Sequence, residues 1–103
     1  MTEKDFALRL ATLRTNKNVS AREMSLAIGQ NQGYINHIET RQGTPSLSGF
    51  FYICEFLGIT PSEFFDVNNT NPIKLNKINE LLKTLDDEQL DTIERLVKTL
   101  TKK

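Results

Sequence analysis

Gln32, Asn36 and His37 are the side chains in this 103-residue sequence best suited to recognition chemistry. At helical spacing they share one face, with Gly33 between them offering no side chain. A Gln or Asn amide donates and accepts at once, which matches the paired donor and acceptor on the major-groove edge of adenine. Catalytic chemistry has far less to work with. His37 and Cys54 are the sole histidine and the sole cysteine, and they fall in different predicted helices on different faces. They cannot assemble a metal site or close an internal disulfide. No strand followed by a Gly-rich phosphate loop is present, and the acidic residues are scattered on helix faces. The reading is a non-enzyme without metal or cofactor.

The elements that must position Gln32 to His37 are all helical. Phe6, Leu10 and Leu13 predict a first helix over about residues 3–16. Ser20 and Glu23 form a capping box that opens a second helix, with Met24, Ala27 and Ile28 inward and Gly29 as its stop. Asn31 reads as the N-cap of a third helix over about 32–40, with Ile35 and Ile38 pointing in. Gly43-Thr44-Pro45 breaks the chain, and Ser46 caps a fourth helix carrying Phe50, Cys54 and Leu57. Gly58 ends it, and Thr60-Pro61-Ser62-Glu63 caps a fifth whose Phe64 and Phe65 close the core. Two short helices joined by a Gly-containing turn, about 21–28 and 32–40, make a helix-turn-helix, a geometry in which the second helix enters the major groove.

Charge is mild and unevenly spread. Residues 1–45 carry six Lys/Arg against four Asp/Glu, and residues 46–72 carry three Asp/Glu and no Lys or Arg. By itself this is an ordinary solvated surface. The polar start and the lack of a long apolar run predict neither a signal nor a membrane span, so the expected setting is cytoplasmic.

The ordered set Leu13-Arg14, Val19-Ser20, Met24 to Gly29, Tyr34 to Glu39, Thr44-Pro45-Ser46 and Leu57 to Thr60 resembles the Cro/C1-type (XRE) helix-turn-helix family over about residues 6–65. The resemblance implies an all-α, five-helix lambda-repressor-like DNA-binding domain, here followed by a C-terminal helical hairpin. It implies base contacts from Gln32, Gly33, Asn36 and His37, and phosphate contacts from Arg22, Asn31, Tyr34, Arg41 and Thr44. Arg14 and Glu39 are expected to pair between the first and third helices. Tyr34 either bonds a phosphate or packs, His37 is a base or phosphate contact or a plain surface residue, and Lys17, Arg22 and Arg41 are phosphate contacts or solvated charges, with contact favoured for Arg22 and Arg41. The sequence departs from the family at Ala21, where a phosphate-binding Gln is frequent, at Gly33, and at Arg41, where a Gly is usual.

The expected domains are 1–66 for DNA binding, 67–72 as an Asn-rich linker, and 73–103 as the hairpin. Leu75-Ile78-Leu82-Leu85 and Leu90-Ile93-Val97-Leu100 repeat a 3,4,3 spacing, with Asp86 to Gln89 as the cap between. The stripes can bury each other, and because two small helices bury little, the hairpin is expected to complete a homodimer, the alternative being that it folds back on the DNA-binding domain. The functional expectation is a repressor that binds a double-stranded DNA operator. The alternative is a protein-interaction module, such as an antitoxin or anti-repressor, on the same fold.

Overall fold

The computed structural model describes residues 1–102, and every regular element among them is an α-helix. In chain order these are α1 (Glu3–Asn16), α2 (Ala21–Ala27), α3 (Tyr34–Glu39), α4 (Leu47–Leu57), α5 (Pro61–Phe65), α6 (Pro72–Leu82) and α7 (Asp87–Thr101). The chain divides into two compact units, one from Met1 to Ile73 and one from Lys74 onward.

In the first unit the starts and stops follow local chemistry. Ser20 with Glu23, Thr60 with Glu63, and also Thr2 with Asp5 form reciprocal capping boxes at α2, α5 and α1. Its bonds to Thr2 hold the Asp5 carboxyl below its usual value. Gly29 and Gly58 take positive φ of 78° and 72° just past α2 and α4, a conformation open to Gly at little steric cost. α2 packs on α3, α1 on α3 and α5, and α4 on α5. Between them Leu10, Leu13, Met24, Ile35, Ile53, Leu57 and Phe64 are closed to solvent. Phe64 is the aromatic centre, 4.9 Å from the Phe6 ring and 5.0 Å, edge-on, from Phe50. Cys54 belongs to this core, where burial pushes its thiol up to about 11.

Several expectations are corrected here. Ala27 faces solvent, and Ser25 takes the buried place beside Met24. Phe65 closes the core only in part and remains 48% exposed. The third helix begins at Tyr34, not at 32, and its N-cap is Gly33, which makes no side-chain cap bond. Asn31 instead closes the preceding turn: its Oδ1 accepts from the Gly33 amide, and its carbonyl accepts from the Tyr34 amide.

The segment expected as a linker is fastened for much of its length. Arg9 is buried on α1, and its guanidinium donates to the carbonyls of Phe64 (2.6 Å), Glu63 (2.8 Å), Asp66 (2.9 Å) and Asn69 (3.0 Å). These include the carbonyls of Glu63 and Phe64 at the C-terminal end of α5, and that of Glu63 also accepts from the Asp66 amide. Asn16 donates to the carbonyl of Thr70, Pro72 is fully buried, and Ile73 packs against the core.

In the second unit Asp86 and Gln89 form the expected capping box of α7. The two stripes shield each other only in part. Among the described residues from Lys74 onward no side chain is buried, and Leu82, Leu85 and Ile93 are the apolar ones that reach partial burial.

Arg9→Lys removes the planar fork that reaches four carbonyls at once. It is expected to destabilise the first unit by about 2–4 kcal/mol, read as a lower urea midpoint with unchanged slope. An unchanged midpoint would mean that water replaces the guanidinium at no cost.

Candidate nucleic-acid interface

α2, the turn from Ile28 to Gly33, and α3 form the helix-turn-helix. Its joint is Ser25. The Ser25 hydroxyl donates to the Ala21 carbonyl (2.7 Å) and accepts from the Ile35 amide (2.9 Å), so an orphan N–H at the start of α3 is satisfied by a side chain of α2. Below this joint Ile35 and Ile38 are buried. Nothing in the sequence reading singled out Ser25. The available signal was a small hydroxyl next to Met24 on the inward side of a seven-residue helix.

The far end of α3 is held by charge. Arg14 Nε and Nη2 donate to Glu39 Oε2 (2.7 Å) and Oε1 (2.9 Å), and Nη1 donates to the Val19 carbonyl (2.9 Å). This is a two-pronged, partly shielded pair joining α1 to α3. The bond to Glu39 raises the Arg14 guanidinium above its ordinary value. Past the helix, the Gln42 amide donates to the His37 carbonyl, and Thr40 Oγ1 donates to the Asn36 carbonyl. The loop then runs close over the histidine: a methyl on Gly43 would stand 2.9 Å from His37 Nε2.

These supports leave Gln32, Gly33, Asn36 and His37 exposed along the turn and the first part of α3. Arg22, Asn31, Arg41 and Thr44 are also exposed. Arg41 sits at φ 62°, the left-handed region that costs a non-glycine residue about 1–2 kcal/mol. Tyr34 differs from these. It is half-buried, and a methyl on Gly49 in the first turn of α4 would stand 2.5 Å from its hydroxyl oxygen. Burial raises its pKa further above neutral, and the protonated phenol is a donor. Lys17 points elsewhere: its Nζ donates to the Phe56 carbonyl (2.8 Å) and lies 4.9 Å from the Phe56 ring centre.

A helix, a glycine turn and a second helix with a polar outer face can also occur in a protein with no affinity for DNA. The sequence profile of the helix-turn-helix family matches residues 10–64, spanning the second half of α1, all of α2, the turn, α3 and α4, and most of α5. The chain belongs to the helix-turn-helix family, of the Cro/C1 type. No curated protein and no solved structure gave a match. As a member of the helix-turn-helix family this chain is a DNA-binding regulator. Among the described residues no helix is long and apolar enough to cross a membrane.

Ser25→Ala leaves the Ile35 amide buried without its acceptor. The expected cost is about 1–3 kcal/mol of unfolding free energy, measured by urea titration. A variant as stable as the parent would show that the joint is held by apolar packing alone.

Proposed function

We propose that this helix-turn-helix protein is a sequence-specific repressor that works in the cytoplasm. It reads the major groove of its operator with Gln32, Gly33, Asn36 and His37. The observation that carries the reading is how the side chains divide: Ile35, Ile38 and Glu39 of α3 are committed inward, while those of Gln32 in the turn and of Asn36 and His37 in α3 are exposed. Arg22, Asn31, Tyr34, Arg41 and Thr44 surround that face and take the flanking phosphates, Tyr34 through its phenol donor. A six-residue helix spans few base pairs, so the protein acts as a symmetric homodimer on two half-sites about 34 Å apart. Repression follows from occupancy of the operator.

Few phosphate-facing cations predict a shallow salt dependence. The slope of log K against log salt is about −0.9 per neutralised phosphate, and titrations at several salt concentrations measure it. Gln32→Ala is expected to weaken operator binding by about 1–3 kcal/mol and to relax one base position. If affinity and base preference both stayed the same, the reading face would be misplaced. Absence of DNA binding even at low salt would favour a protein-interaction module, for which exposed Leu47, Phe51 and Phe65 offer an apolar surface.

Arg41 gives a test with opposite signs. Arg41→Gly relieves a left-handed residue and should raise stability by about 1 kcal/mol, while weakening binding to all DNA sequences alike. A variant that gained stability and kept its affinity would reduce Arg41 to a solvated charge.

A further inference from the structure

Gly49 is a glycine whose own backbone does not call for one. It is buried in the first turn of α4, and unlike Gly29 and Gly58 it does not adopt a positive φ. Inside a helix glycine is a poor choice, because it gives up more chain freedom on folding than any other residue. Its amide donates to Ser46 Oγ (3.0 Å), a bond open to any residue but proline. What sets the position apart is the space above it. A methyl on Gly49 would stand 2.5 Å from Tyr34 Oη, against 3.2 Å from Ser46 Oγ and 3.5 Å from Pro45 Cβ. The phenol of α3 occupies the volume that a side chain at 49 would need.

Gly43 is the other glycine with a neighbour this close, but the imidazole it faces is exposed and can swing aside. The Tyr34 ring is half-buried and packs against the core, so it has less room to yield. Among the described residues no hydrogen bond holds the Tyr34 hydroxyl, so shape sets where it lies. That place is the start of α4, close to Pro45 and Ser46 and so to Thr44, the preceding residue in the chain. A hydrogen bond from a hydroxyl weakens steeply once its distance or angle departs from the optimum. Lifting the ring off α4 would misplace the donor even with the phenol intact.

We propose that Gly49 is the positioning residue for Tyr34: its missing side chain lets the phenol lie across the first turn of α4, which sets the hydroxyl where it donates to a DNA phosphate. The proposal rests on the reading above that Tyr34 takes a phosphate, and it adds the residue that aims it.

The test compares Gly49→Ala, Tyr34→Phe and the double variant in the full chain. The probe is a mixed-sequence DNA duplex at low salt, since phosphate contacts carry no sequence information. Each single substitution should weaken binding roughly three- to tenfold, and the double variant should bind no more weakly than either. The slope of log K against log salt should stay as in the parent, because no cation is removed. Urea titration reads the contact without DNA: Gly49→Ala should raise the midpoint more in the Tyr34→Phe background, where the clashing oxygen is gone. If Gly49→Ala alone does not fold, the double variant is compared with Tyr34→Phe, and equal affinities are expected. Losses that add, or a further loss in the double variant, would show that Gly49 acts through something other than Tyr34 and overturn the proposal. A loss for Tyr34→Phe with none for Gly49→Ala would also overturn it, while leaving the phosphate contact of Tyr34 standing. Unchanged affinity in Tyr34→Phe would remove that contact and the proposal with it.

Discussion

A helix of six residues has no stability of its own, and α3 is such a helix. The rest of the first unit can be understood as the means of holding it. Ile35 and Ile38 anchor its underside in the core. Ser25 takes the amide of Ile35 at one end, and Arg14 grips Glu39 at the other. With both ends and one face fixed, the outer face carries no structural duty. Side chains there can be chosen for what they recognise, and a change at Gln32 or Asn36 need not disturb the fold. The same constraint explains why the turn before α3 is closed by Asn31 rather than by a longer helix. An extra turn of α3 would draw Gln32 into helical hydrogen bonding and change its angle of approach.

Basic residues are allocated with the same economy. Residues 1–45 contain Lys4, Arg9, Arg14, Lys17, Arg22 and Arg41. Arg9, Arg14 and Lys17 all point at backbone carbonyls of neighbouring elements, and Arg14 also holds Glu39. Burial lowers the Arg9 guanidinium from its ordinary value, the signature of a cation kept for structure. Lys4, Arg22 and Arg41 are left at the surface. An interface with so few cations cannot depend mainly on counterion release. In the reading proposed above, its discrimination comes from neutral donors and acceptors such as Gln32 and Asn36. The left-handed strain at Arg41 fits this economy, since a glycine there would be easier for the backbone but would remove one of the few surface cations.

What the sequence made legible was local. The boxes at Ser20, Thr60 and Asp86, the stops at Gly29 and Gly58, and the apolar faces of α1 and α4 each depend on residues within a turn or two of one another. Thr2 and Asp5 form the same kind of box, less legible because Asp stands where the pattern has Glu or Gln. Ser25 and Arg9 were illegible for a different reason: their partners lie 10 and 55 residues away, and a lone polar side chain gives no sign of being buried. The Arg14–Glu39 pair spans 25 residues and was accessible only through family resemblance. Asn31 misled in an instructive way. It does accept a backbone amide, as an N-cap would, but the amide is that of Gly33, so the helix starts later than the side chain alone implies.

Periodicity has the same limit. α4 and α7 both carry an apolar stripe, Phe50-Cys54-Leu57 in one and Leu90-Ile93-Val97-Leu100 in the other. The first is buried within its own unit, and the second is not. A stripe states that a face is to be covered without stating by what. For α4 the answer lies in the surrounding composition: segment 46–65 is rich in Phe and free of Lys and Arg, and Phe6 of α1 meets the Phe50 ring at 5.7 Å. For α7 no such surroundings exist: within its unit Leu82, Leu85 and Ile93 reach partial burial, while Leu90, Val97 and Leu100 stay exposed.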